Sequence, residues 1–177
     1  MKRLLLLLLF LSTGCAPYDT YDDSHTYDEN NCPDIEIARD NAYLTQFVNY
    51  QDKFQISING YEGFCYYETI QSKHRAVIRP IFKIKRLAPS EETDVRFSFY
   101  TETRKGPPQY IGKKTYHATA HIKRGETETL YQAPAVKVFI PSTAIDGYDI
   151  NLGLVVSPEE KRYNSRTFDV EYPYKED

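Results

Sequence analysis

The sequence predicts an all-β chain: one antiparallel β-sandwich with a single short helix near 157–164. Three observations lead there. Apolar and polar residues alternate with a period of two over one segment after another, and only a pleated backbone sends alternate side chains to opposite faces. Turn-forming residues fall between those segments at short spacing. The composition of the 177 residues, 41% hydrophobic and 27% charged, suits one core and excludes a disordered polymer, a fibrous repeat and a polytopic membrane protein.

The first residues stand apart. Met1-Lys2-Arg3 precedes an unbroken apolar run from Leu4 to Leu11, followed by Ser12-Thr13-Gly14-Cys15. The two cations hold the start on the cytoplasmic side, and the apolar run rises only about 12 Å as a helix, against a hydrocarbon core about 30 Å thick. Residues 1–14 therefore read as a signal peptide and not as a membrane span. Gly14-Cys15 resembles the lipobox of bacterial lipoproteins, although Ser12 stands where that pattern usually has Leu. The resemblance implies that the Cys15 thiol receives a diacylglyceryl group, that the signal is cut before it, and that the new amine is acylated. The alternative is an ordinary secretory signal with a free Cys15. Acyl chains contribute about 0.8 kcal/mol per buried CH₂, so two or three of them anchor a protein without any transmembrane helix. Ala16 rather than Asp follows the cysteine, which resembles the sorting pattern of Gram-negative lipoproteins released to the outer membrane. The expected address is thus the cell envelope, lipid-anchored at the outer membrane and facing the periplasm.

Residues 15–31 form the next unit. Asp19, Asp22, Asp23, Asp28 and Glu29 lie in a stretch without Lys or Arg and almost without aliphatic residues. Such a stretch buries too little apolar surface to offset the entropy of ordering it, so an acylated, acidic, flexible tether is expected. Tyr18, Tyr21 and Tyr27 offer a second reading, a docking strip for a basic partner. The whole-chain charge of −3 is a composite of a cationic signal, an acidic tether and a domain, residues 32–177, whose charges balance.

With Cys15 assigned to the lipid, Cys32 and Cys65 remain, and a single disulfide is the simplest use of two thiols in an oxidising compartment. Metal binding is the competing reading, but neither cysteine has the close Cys or His neighbour of a zinc site. No metal and no cofactor is expected.

Strands are expected at 34–38, then at Phe54–Ile58 and 64–69 on either side of Asn59-Gly60. They continue at 75–85, Val95–Tyr100, Tyr116–Ile122, 127–132, Val136–Ile140, 148–156 and 167–172. Short alternating strands separated by turns describe an immunoglobulin/fibronectin-like sandwich. Pro80 places its segment at an edge or a bulge. Ser157-Pro158-Glu159-Glu160 carries both halves of a capping box, with Ser as N-cap, Pro at the first helical position and Glu three residues after the cap. That helix should run to about Asn164.

Chemistry is sparser. His117 and His121 share one face of a strand, where four residues span about 13 Å and no single zinc touches both. His25 falls in the tether and His74 in a loop. No G-x-S-x-G elbow occurs, the serines have no base nearby in sequence, and Gly112-Lys113-Lys114 lacks a phosphate-cradling loop. No catalytic residue is expected. Arg79, Lys83, Lys85 and Arg86 surround one strand, either to meet an anionic partner or to guard an edge against aggregation. Tyr100, Arg104, Lys105 and Tyr110 surround the 103–110 tip with the composition of contact surfaces, and they form the candidate partner surface. Nucleic acid is an unsuitable partner for a neutral, exported domain.

Cys32-Pro33-Asp34-Ile35-Glu36-Ile37, Asn41-Ala42-Tyr43-Leu44-Thr45-Gln46-Phe47, Gly63-Phe64-Cys65-Tyr66 and the Ser157-Pro158-Glu159-Glu160 to Tyr163-Asn164 ending together resemble a group of small, uncharacterised Gram-negative envelope lipoproteins with a β-sandwich domain. The resemblance implies fold and location and transfers no catalytic residue. The expected function is non-enzymatic: binding or supporting another envelope component, with membrane contact through the acyl chains. The alternative is a lipid-anchored periplasmic hydrolase or small-ligand-binding protein acting on envelope material.

Overall fold

The computed structural model describes residues 25–27, 32–48, 52–68, 71–87, 91–106, 109–141 and 147–167. The expected signal peptide, Cys15, most of the expected tether and the stretch 168–172 lie outside the described residues. In chain order the strands are β1 (His25–Tyr27), β2 (Asp34–Ile37), β3 (Tyr43–Val48), β4 (Asp52–Glu68), β5 (Lys73–Arg86), β6 (Thr93–Lys105), β7 (Gln109–Ile122), β8 (Glu128–Gln132), β9 (Val136–Ile140) and β10 (Tyr148–Leu154), followed by helix α1 (Pro158–Thr167). A 3₁₀ turn, Arg39–Asn41, joins β2 to β3. Among the described residues no helix is long and apolar enough to cross a membrane.

The strands form the expected two-sheet, sandwich-like fold. In the six-stranded sheet β4 and β5 are central: β1 and β3 pair with the outer side of β4, while β9 and β8 pair with the outer side of β5. The second sheet has the order β2-β10-β6-β7. Its ladders are antiparallel except one, because β2 lies parallel to β10. Alternation produces the core directly. Phe54, Ile56 and Ile58 of β4 and Ile78, Phe82 and Ile84 of β5 face Val95, Phe97 and Phe99 of β6 and Ile150, Leu152 and Leu154 of β10 in one buried cluster.

Cys32 and Cys65 form the expected disulfide, with Cα atoms 5.5 Å apart. The bond ties the segment entering β2 to β4, so it links one sheet to the other. The three described residues of the acidic stretch, His25–Tyr27, pair with Tyr66–Glu68 on the same strand.

Several local expectations are corrected. Asn59-Gly60 is not a turn. β4 runs straight through it, and the register shifts between Ile58 and Gly60. One residue is thus accommodated as a bulge where Gly60 has φ +151°, a conformation that L side chains rarely adopt. Of the two places expected for Pro80, an edge or a bulge, the edge is wrong, since the strand is central, and the register shift of β4 lies beside it, opposite Phe82 and Ile81. The far side of β5 is paired with β9 up to Ile78 and with β8 from Ile81. Pro80 falls in that gap, where its missing N–H costs no ladder bond, and its carbonyl accepts from the Ala133 N–H at 2.9 Å. The β5 cations are therefore not edge guards. Arg79 pairs with Glu62, Lys83 pairs with Glu128 at 2.8 Å, and Arg86 is buried with its guanidinium 5.4 Å from the Phe54 ring. His74 is in β5 and not in a loop, buried with its ring 4.9 Å from that of Tyr67.

The helix forms as its capping box dictates. The Glu160 N–H donates to Ser157 Oγ at 3.1 Å, and the Ser157 N–H donates to Glu160 Oε2 at 2.6 Å. It continues past Asn164 to Thr167, so the strand expected from 167 does not begin there. Asn164 is buried and donates its amide to the Tyr43 carbonyl at 2.6 Å, which seats the helix on β3.

Candidate functional site

On the second sheet the outward-facing residues are polar, and the register arranges them in rows across four strands. One row runs from Asp34 through Asp149 and Arg104 to Tyr110; the next runs from Glu36 through Asn151 and Glu102 to Lys113. Tyr110 owes its place to a bulge. Thr103 pairs with Gly112 and Arg104 with Tyr110, which leaves Ile111 as the extra residue and puts a tyrosine, not an aliphatic residue, opposite Arg104 in the ladder. The hairpin then closes at Gly106, whose φ of +57° is a left-handed turn conformation open to glycine at little cost. Between these rows lies a surface concavity of about 440 Å³, lined by Glu36, Asp149, Asn151, Glu102, Arg104, Gly106 and Tyr110.

Charge inside it is unevenly satisfied. Glu102, with a side chain only 12% exposed, holds Arg104 at 2.5 Å and Lys113 at 3.7 Å. Beside it the Lys113 ammonium stands 3.4 Å from the centroid of the Tyr100 ring. Burial first, then the Glu102 carboxylate, pushes the Tyr100 phenol above its ordinary value of 10.0, with Arg104 opposing. The phenol therefore stays protonated at neutral pH.

Of the four residues expected at a partner surface, two line the concavity. Arg104 forms part of its wall, and Tyr110 is 59% exposed. Tyr100 is corrected: it is only 5% exposed. It pairs with Gly153, and a Cβ on that glycine would lie 2.5 Å from the ring, so the missing side chain is the space the phenol occupies. Lys105 belongs to the opposite face, with its amine 5.1 Å from the Tyr148 ring. Sequence reasoning missed Glu36, Glu102, Asp149 and Asn151. Their outward direction was readable from the alternation with Ile35, Ile150 and Leu152, but their proximity depends on β2 lying beside β10.

Farther along the same face, β6 and β7 bring together two histidine contacts not visible in the sequence. Ser98 Oγ lies 2.9 Å from His117 Nδ1. This is a nucleophile–base contact in kind, but it lies on open strand surface, outside the concavity. His121 meets Asp94 at 3.0 Å and Glu92 at 3.2 Å. Among the described residues no group of three or more His, Cys, Asp or Glu is placed to hold a metal ion. The Asp94 hydrogen bond, followed by the Glu92 charge, raises the His121 pKa above its ordinary 6.5. A histidine whose folded value is raised adds stability below its unfolded value, and loses it as pH climbs through the folded one. NMR titration should accordingly show His121 deprotonating above 6.5, and Asp94→Asn should bring the midpoint down. An unchanged midpoint in that variant would remove Asp94 as the cause.

No family model, no curated protein and no solved structure matches the chain.

Proposed function

We propose that the protein is a lipid-anchored bacterial envelope lipoprotein, non-enzymatic, that binds another envelope component through the outward face of the β2-β10-β6-β7 sheet. The anchor reading rests on Lys2-Arg3, the Leu4–Leu11 run and Gly14-Cys15. The observation that carries the binding reading is Tyr110, a large aromatic side chain 59% exposed at the rim of a polar concavity. An aromatic ring beside Arg is what contact surfaces concentrate, because both give much contact area per ordered side chain. A second reading, small-ligand binding on the same face, is favoured by the concavity itself, whose volume falls within the usual range for ligand sites.

A photo-crosslinker at position 110 in intact cells should capture one discrete envelope partner. Cys15→Ala should leave the membrane fraction, and the intact mass of the mature N-terminus should carry acyl chains on Cys15. An unmodified N-terminus would sink the anchor. A crosslinker that yields only scattered, non-reproducible products would sink the partner.

A further inference from the structure

We infer that the concavity on the outward face of the β2-β10-β6-β7 sheet is a binding site for an organic cation, a primary ammonium or guanidinium group on a ligand of amino-acid size. The inference deepens the small-ligand reading of this site and rests on it.

Three independent features converge. The first is charge. Glu36, Glu102 and Asp149 line the site with a single guanidinium, Arg104, and that guanidinium is spent on Glu102. Glu36 and Asp149, on adjacent strands and one row apart, carry no ion pair among the described residues. The second is Asn151, between Glu36 and Glu102 in its row and only 9% exposed. Its carboxamide lines the concavity and makes no side-chain hydrogen bond to any described residue. Its carboxamide atoms are reached from the cavity rather than sealed inside the protein, so donor and acceptor alike are open to an outside partner. An ammonium or guanidinium donates to its oxygen and to the two carboxylates together. The third is Tyr110 at the rim, whose ring covers an aliphatic stem or attracts the cation itself.

Competing ligands fit less well. An anion meets excess negative charge and a guanidinium already engaged. The carboxylates are also not grouped as a metal site requires, since hard divalent cations take six or more oxygens in a tight shell. A volume of about 440 Å³ admits a diamine or a basic amino acid whole.

The test uses the full chain in nonionic detergent, titrated by calorimetry and by backbone amide NMR. The probes are cadaverine, agmatine, lysine amide, Nα,Nε-diacetyllysine amide and calcium chloride. Expected are saturable binding of the cationic probes, amide shifts at 102–104 and 149–151, weakening at high salt, and no binding of Nα,Nε-diacetyllysine amide, which carries no ammonium group. Glu36→Gln with Asp149→Asn should weaken binding about tenfold or more, Asn151→Ala should also weaken it, and Glu159→Gln on α1 should leave it unchanged. Lysine amide binding more tightly than cadaverine identifies a diamino-acid residue as the source of the ammonium, and the reverse identifies a free polyamine. The inference is overturned by no saturable binding of any cationic probe, by binding indifferent to the double variant in protein of unchanged melting temperature, or by calcium occupying the same residues in preference. If the cationic probes fail while the crosslinker at position 110 captures a partner, the organic-cation site is wrong and the envelope-binding reading stands.

Discussion

Phe82→Ala lowers the unfolding free energy by about 3–5 kcal/mol, the range for truncating a fully buried aromatic residue. Phe82 is 0% exposed. Its ring meets Phe97 edge-on at 4.9 Å and Phe99 at 5.2 Å, both from the opposite sheet, and Tyr131 at 6.5 Å from its own. The cavity therefore opens between the sheets, where neither backbone can close in without disturbing its own ladder. Each aromatic pair adds about 0.5–1.5 kcal/mol beyond area burial, so the loss should fall toward the upper part of the range. Leu130→Ala on an exposed position of β8 serves as the comparison and should change stability by less than about 0.5 kcal/mol. Urea unfolding measures both. A Phe82 variant as stable as the Leu130 variant would mean that the sheets are not held together at this cluster.

Removing the Cys32–Cys65 crosslink has the second largest expected effect. The disulfide closes a loop of 33 residues, for which the chain-entropy model gives about 3.7 kcal/mol at 25 °C. Cys32→Ala with Cys65→Ala should shift the urea midpoint down and steepen the transition, because the uncrosslinked unfolded chain exposes more surface. Reductant should reproduce the effect in the parent protein and do nothing to the double variant. An unchanged midpoint in both would show that the crosslink restrains a segment already ordered when the rest unfolds.

The parts of this molecule legible in the sequence are those decided by a few neighbouring residues. Ser157 and Glu160 specify a helix start almost alone, and both hydrogen bonds of that capping box form. Val136, Val138 and Ile140 specify a strand and its inward face by alternation. The pairing of Cys32 with Cys65 was expected on reading Cys15 as lipid-bound, and that disulfide forms. Legibility stopped where a residue's fate depends on a strand distant in the chain. Tyr100 was expected at a surface because nothing near it in sequence shows that Gly153 lies opposite and receives its ring. Pro80 was expected at an edge or a bulge; the register shift does lie beside it, opposite Phe82 and Ile81, but the edge does not, because nothing local shows two short strands sharing one side of β5 with a gap at the proline. The concavity was half legible for the same reason: Arg104 and Tyr110 share a hairpin, whereas Glu36, Asp149 and Asn151 join them only through the parallel ladder of β2 on β10.

That ladder also bears on how the domain is completed. Hairpin partners such as β4 with β5 and β6 with β7 close short loops and should form first, whereas contacts between distant segments bear a larger closure entropy before any contact rewards them. Asp34–Ile37 finds its neighbour only when Asp149–Leu152 is available, so β2 depends on a strand more than a hundred residues further along the chain. Glu36 arrives with β2, so the cavity should be among the last features to assemble. Truncation before β10 should leave β6 with an open edge and remove Asp149 and Asn151 from the cavity, so an intact cavity reports that the first and last strands of the domain have met.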